Sequence, residues 1–186
     1  MTMPPVLQSL GRQFLLPTSW CFEAGDKDVG AYVTYLAATA GFGITVLVRE
    51  AWLQLQSLPS DRRRQLRIHA FARDVARQTH VASINVHERG VDAHCTLYEP
   101  WKVTGVDSVV QAKLVTQTAT ACALIDACRR IETEELSDFA FVCEHGTHRS
   151  VGCMLLLAMF VYNGAEVVFS TRRTSLAAVS AGLIEA

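Results

Sequence analysis

The stretch 139–151, FAFVCEHGTHRSV, concentrates the chain's chemistry. Apolar residues lead into a glycine-containing loop, and a second apolar run follows. That order reads as a buried strand, a tight loop and the first turn of a helix. A helix start presents unpaired backbone N–H groups and the positive end of the helix dipole. A loop that wraps further N–H groups around that point makes an anion nest, for which phosphate is the usual occupant. Gly146 lets the backbone turn close to the anion. Arg149 supplies a bidentate fork, His148 a donor that is neutral or charged, and Ser150 a hydroxyl. With the main chain of Glu144, His145 and Thr147, these are the candidate ligand-binding residues.

The elements that position this loop follow from hydrophobic period and turn residues. Residues 31–40 read as an apolar helix, 41–43 as a turn and 44–48 as a buried strand. The segment 58–64, LPSDRRR, with Pro and a charge run, divides the chain. Beyond it, 66–72 and 81–87 alternate as strands, and 90–104 is an irregular loop. Residues 107–131 repeat apolar positions at helical spacing and read as one long helix. Then come the strand 139–143, the helix 150–162 stopped by Asn163-Gly164, and the strand 166–170. Strands alternating with helices imply an α/β domain: a small mixed sheet flanked by helices over about 66–180, with an N-terminal extension over 1–65.

At 186 residues and 20.4 kDa, half apolar and 19% charged, the chain is of ordinary globular composition, which excludes disordered and coiled-coil classes. Seventeen basic against eighteen acidic residues argue neither for nor against a nucleic-acid partner. The basic residues are 14 Arg and 3 Lys, and Arg suits phosphate and carboxylate. Arg62, Arg63 and Arg64 with Arg67, Arg73 and Arg77 read as a solvated linker and strand edge. The six cysteines are irregularly spaced, so free thiols in a reducing, cytoplasmic setting are expected. His87, His94, Cys95, His145 and His148 fit no standard zinc spacing, and no metal is expected. No Gly-x4-Gly-Lys-Ser/Thr motif occurs, and no cofactor is expected. Residues 1–21 lack the Arg and Ser density of a transit peptide. Residues 29–48 carry no charge over a membrane-spanning length, but their Gly, Thr and Tyr content divides them as above, so no membrane partner is expected.

Two families share the loop's pattern. Cys143-x5-Arg149-Ser150 resembles the phosphate loop of Cys-dependent phosphatases. That resemblance implies Cys143 as nucleophile, Arg149 holding phosphate oxygens and Ser150 helping the thiolate leave. Here Val142 stands where that family usually has His, and Asp107 is a candidate acid by distance along the chain alone. The apolar strand before Cys143 and the adjacent Glu144 predict a raised thiol pKa, while Arg149 and the helix start push the other way. The first pair is expected to prevail, so Cys143 is not expected to be a turnover nucleophile.

Cys-x-x-Gly-x-His-Arg-Ser-Val, over 143–151, also resembles the signature of the C-terminal domain of the RNase adapter protein RapZ family. That resemblance runs from about 66 to 178. Residues 67–86 are similar to its first strand, loop and second strand. Val103-Thr-Gly-Val-Asp107 is similar to its Thr-Gly-Leu-Asp turn, and 167–176 to its closing strand. It implies a regulatory or adapter domain binding a phosphorylated ligand, a phosphosugar or nucleotide, with RNA or protein partners. It also brings Arg173 close to the loop as a second phosphate donor. The family's frequent first-loop His is Asp74 here, the Arg ending its second strand is His87, its penultimate His is Arg172, and its loop Gly and Lys are His145 and Thr147.

Overall fold

The structure, a computed structural model, describes residues 29–59, 65–94 and 98–180. Cys21, Arg62 to Arg64 and Cys95 lie outside the described residues, as does the segment 1–21. Four strands, β1 (Arg67–Ala72), β2 (Ala82–Asn85), β3 (Asp138–Cys143) and β4 (Glu166–Phe169), form one sheet in the order β2-β3-β1-β4. Every pairing is parallel. The α/β reading therefore holds, with the correction that the sheet is parallel throughout and not mixed. Each of the first three strands is followed by a crossover that returns the chain to the same end of the sheet, which leaves no hairpin to create an antiparallel pair.

Alternation along the strands sorts the two faces. Ile68, Ala70, Phe139, Phe141 and Cys143 enter the main core, whereas Phe71, Ala140 and Val142 form a small second cluster. The main core is closed by the apolar helix that follows β3, α6 (Arg149–Phe160), which packs on β3, β1 and β4. The second face is covered by Val75, Ala76 and Val81, the first two from the single-turn helix α3 (Arg73–Ala76).

Before the sheet lie α1 (Val29–Thr39) and α2 (Val46–Ser57); between β2 and β3 lie α4 (Ser108–Val115) and α5 (Thr118–Thr133). The first pair packs on the second, α1 on α4 and α2 on α5. Trp52 of α2 is fully buried, meets the Phe160 ring edge-on at 5.3 Å, and donates its indole N–H to Val115 O at 2.9 Å. Residues from both sides of position 65 thus share one core. No helix among the described residues is long and apolar enough to cross a membrane.

Two expected elements differ. Residues 44–48 are not a strand: Thr45 caps α2 by accepting from Val48 N at 3.3 Å, and the apolar run continues at helical spacing through Val48, Trp52 and Leu55. The long helix over 107–131 is two helices broken at Thr116-Gln117. There Thr116 Oγ1 and Gln117 Nε2 both donate to Lys113 O, giving the backbone an alternative to continuing the helix. A short helix, α7 (Arg172–Ser180), ends the described chain.

Candidate functional site

Parallel strands deliver all their carboxyl ends to one edge, where open α/β sheets bind ligands. Here the strand order reverses at the central pair β1 and β3, whose last residues, Ala72 and Cys143, stand opposite each other. The loop from Cys143 to Arg149 leaves that point and enters α6, as the sequence predicts. It is locked down at its middle. His145 bridges back to Ala72, and Gly146 takes φ +62°, a left-handed conformation that L side chains rarely adopt. A Cβ on Gly146 would lie 2.6 Å from Ala72 N, so the loop is pressed against the β1 backbone.

At the centre of the loop sits the sulfur of Cys143, 3% exposed. Ser150 Oγ lies 3.2 Å away, and the backbone N–H groups of Gly146, Thr147 and Ser150 are directed at it. Burial is the largest single influence and pushes the thiol pKa up. The four hydrogen bonds together outweigh it and leave the thiol below its ordinary value. This corrects the expectation of a raised pKa. Strand burial alone points that way, but it says nothing of the N–H ring that the next seven residues build. Glu144 does not oppose the thiolate as expected, because it is exposed and turned outward onto Arg73 Nη2 at 3.2 Å.

A second segment braces the loop. Gly105 N donates to Thr147 O at 2.8 Å, and a Cβ on Gly105 would fall 2.3 Å from His148 O. The carbonyls of Pro100 and Val103 converge on two donors at once. His148 Nε2 lies 2.8 and 3.0 Å from them, and Arg173 Nη2 donates to both at 3.2 and 2.8 Å. Arg173 is thus brought to the loop, through the carbonyls it shares with His148. Burial holds the His148 pKa below its ordinary value, helped by the charges of Arg173 and Arg149 and opposed by the two carbonyls. Asp107 accepts from Thr104 N at 2.7 Å and from Thr104 Oγ1 at 3.2 Å, which ties it to the turn before α4.

Arg149 opens α6 and reaches across to His87, whose Nδ1 lies 2.5 Å from Arg149 Nη1. Beside the loop is a cleft of ≈ 470 Å³ lined by Ala72, Arg73, Asp74, Arg77, Glu144 and His145. Arg73, Arg77 and the partner role of His87 are not assigned to the site by sequence. Their signal is topological: β1, β2 and β3 are parallel, so whatever follows each strand meets at one edge. Among the described residues no group of three His, Cys, Asp or Glu side chains could hold a metal ion.

No family model matches the chain, and neither a curated protein nor a solved structure matches it.

Proposed function

We propose that the loop joining β3 to α6 binds the phosphate group of a phosphorylated small molecule, a phosphosugar or nucleotide, and that the chain acts as a ligand-binding regulatory or adapter domain. The observation that carries this is the tight loop after β3, pressed against β1 at Gly146 with φ +62°. It turns the Gly146, Thr147 and Ser150 N–H groups toward one point at the N-terminus of α6, whose first residue is Arg149. Backbone N–H groups and a helix start favour an anion without any side-chain charge, and Arg149 adds a fork that matches two oxygens. The adjoining cleft suits the rest of such a molecule. Its two Arg, one Asp, one Glu and one His offer donors and acceptors in near-balanced charge, as hydroxyl groups need. Calorimetry against a panel of phosphosugars and nucleotides, wild type beside Arg149→Ala, tests the reading. Loss of a bidentate charged contact is expected to cost about 1.5–3 kcal/mol, roughly tenfold to a hundredfold in affinity. Equal binding by the variant would reject the site.

The position of Cys143 favours a second reading. A thiol inside an N–H ring, with a lowered pKa and a serine hydroxyl beside it, is arranged for nucleophilic attack. In that case the thiolate attacks phosphorus and the P–O bond to the alcohol breaks, the departing oxygen taking a proton from solvent. Water then attacks the phosphocysteine, the P–S bond breaks, and phosphate and the thiolate are released. A burst of product from an aryl phosphate, present in wild type and absent in Cys143→Ser, would establish this reading. Equal background in both would leave binding as the role of the loop.

A further inference from the structure

The contact between Arg149 and His87 has only one chemical sense. A guanidinium carries N–H donors and no acceptor, so Nδ1 of His87 must supply the lone pair. The imidazole is therefore neutral, with its proton on Nε2. The fold places it there. β2 pairs with β3 so that Asn85 stands opposite Val142, and Val86 N donates to Val142 O at 2.9 Å. The chain leaving β2 consequently emerges beside the chain leaving β3, and His87 is the first side chain past that point to stand exposed. Its turn is ordered from both sides: His87 N donates to Asn85 Oδ1 at 3.2 Å, and Gly90 N donates to His87 O at 3.1 Å.

Arg149 needs such a partner more than most arginines. Its side chain is long, with many rotamers, and it sits on the first residue of the helix, where nothing on its own loop fixes its direction. No carboxylate is bonded to it among the described residues. An ion pair would in any case neutralise the charge that an anion requires. A neutral imidazole acceptor holds the fork in place and leaves its charge intact.

We propose that His87 is a positioning residue for the phosphate site, its neutral Nδ1 fixing the guanidinium of Arg149 over the mouth of the 143–149 loop. This rests on the phosphate-binding reading above. Inorganic phosphate is the probe, titrated calorimetrically at pH about 7.5, above the ordinary imidazole range. His87→Ala is expected to weaken binding about threefold to tenfold through the lost preorganisation. His87→Gln, which keeps an acceptor, is expected to restore it. His87→Lys, which brings a charge but no acceptor, is expected not to. On an Arg149→Ala background, His87→Ala should change nothing further. A full additional loss there, or rescue by Lys, would mean that His87 acts on the anion by itself and would overturn the proposal.

A second readout separates this from failure of the phosphate site. Nitrogen NMR of the free protein should show His87 Nδ1 without a proton, with a chemical shift that moves in Arg149→Ala. An unmoved shift overturns the pairing whatever phosphate does. A moved shift without phosphate binding by the wild type rejects the phosphate reading and, with it, the positioning role.

Discussion

Replacing Gly146 by Ala asks two things of the loop that the structure does not allow. The new side chain would have to live at φ +62°, which costs an L residue about 1–2 kcal/mol. Its Cβ would also stand 2.6 Å from Ala72 N, 3.0 Å from Phe71 C and 3.2 Å from Ala72 Cα. All three atoms are backbone of the central strand β1, so no side chain can swing away, and overpacking of this kind costs about 1–3 kcal/mol more. The sum is roughly 2–5 kcal/mol, or a fall in Tm of about 4–20 °C for a chain of this size. Three other glycines separate the two causes. Gly90 has φ +78° and open space, Gly105 has no positive φ but a carbonyl 2.3 Å from its would-be Cβ, and Gly164 has neither constraint. Thermal melts of the four Ala variants should therefore rank Gly164 as harmless, Gly90 as mild, and Gly105 and Gly146 as severe. If Gly146→Ala melts with Gly90→Ala, the loop is not pressed against β1 and the reasoning is wrong.

Further outcomes are expected elsewhere. His148 is held neutral by burial, so its folded pKa lies below the unfolded value of about 6.5; stability is complete above that value and is lost as pH falls toward the folded pKa. The Tm of wild type should thus drop more between pH about 7.5 and about 5 than that of His148→Gln, and parallel curves would contradict the assignment. Ser150→Ala removes one of the bonds that lower the Cys143 pKa, and the thiolate's ultraviolet absorbance should then rise only at higher pH. An unshifted titration would show that Ser150 does not hold the sulfur. Trp52→Phe leaves Val115 O buried without its indole donor and should lower stability by about 1–3 kcal/mol in urea unfolding; an unchanged midpoint would deny that bond any weight.

What the sequence shows of this site is what is local. FAFVC, a glycine and an apolar helix follow one another directly, so strand, loop and helix start are legible from composition and period. So is the helix 29–39, whose apolar run is bounded by Gly41. The strand assignment at 44–48 fails because a short apolar run has the same composition in a strand and in a helix, and the Thr45 cap decides between them. The break after Val115 is hidden for a related reason: apolar spacing continues through it, while two polar side chains divert the backbone. The lowered pKa of Cys143 turns on a balance whose two sides, strand burial and a nest of N–H groups, are both legible in sequence, but whose outcome depends on where three N–H groups point. Likewise the meeting of His148 and Arg173 on the Pro100 and Val103 carbonyls joins segments about seventy residues apart in the case of Arg173. Composition carries no trace of it. His87 belongs to the same class, since its nearness to Arg149 follows from β2 pairing with β3 and from nothing in either residue.

The measurement closest to the central claim reads the loop's own amides. Inorganic phosphate, and then a phosphosugar, is titrated into nitrogen-labelled protein while the backbone N–H signals are followed. The account predicts saturable shifts at Gly146, Thr147, Arg149 and Ser150, weakened about tenfold or more in Arg149→Ala and absent at the far end of the sheet. Shifts spread over surface arginines without saturation, or a loop whose signals stay still while phosphate binds elsewhere, would contradict it.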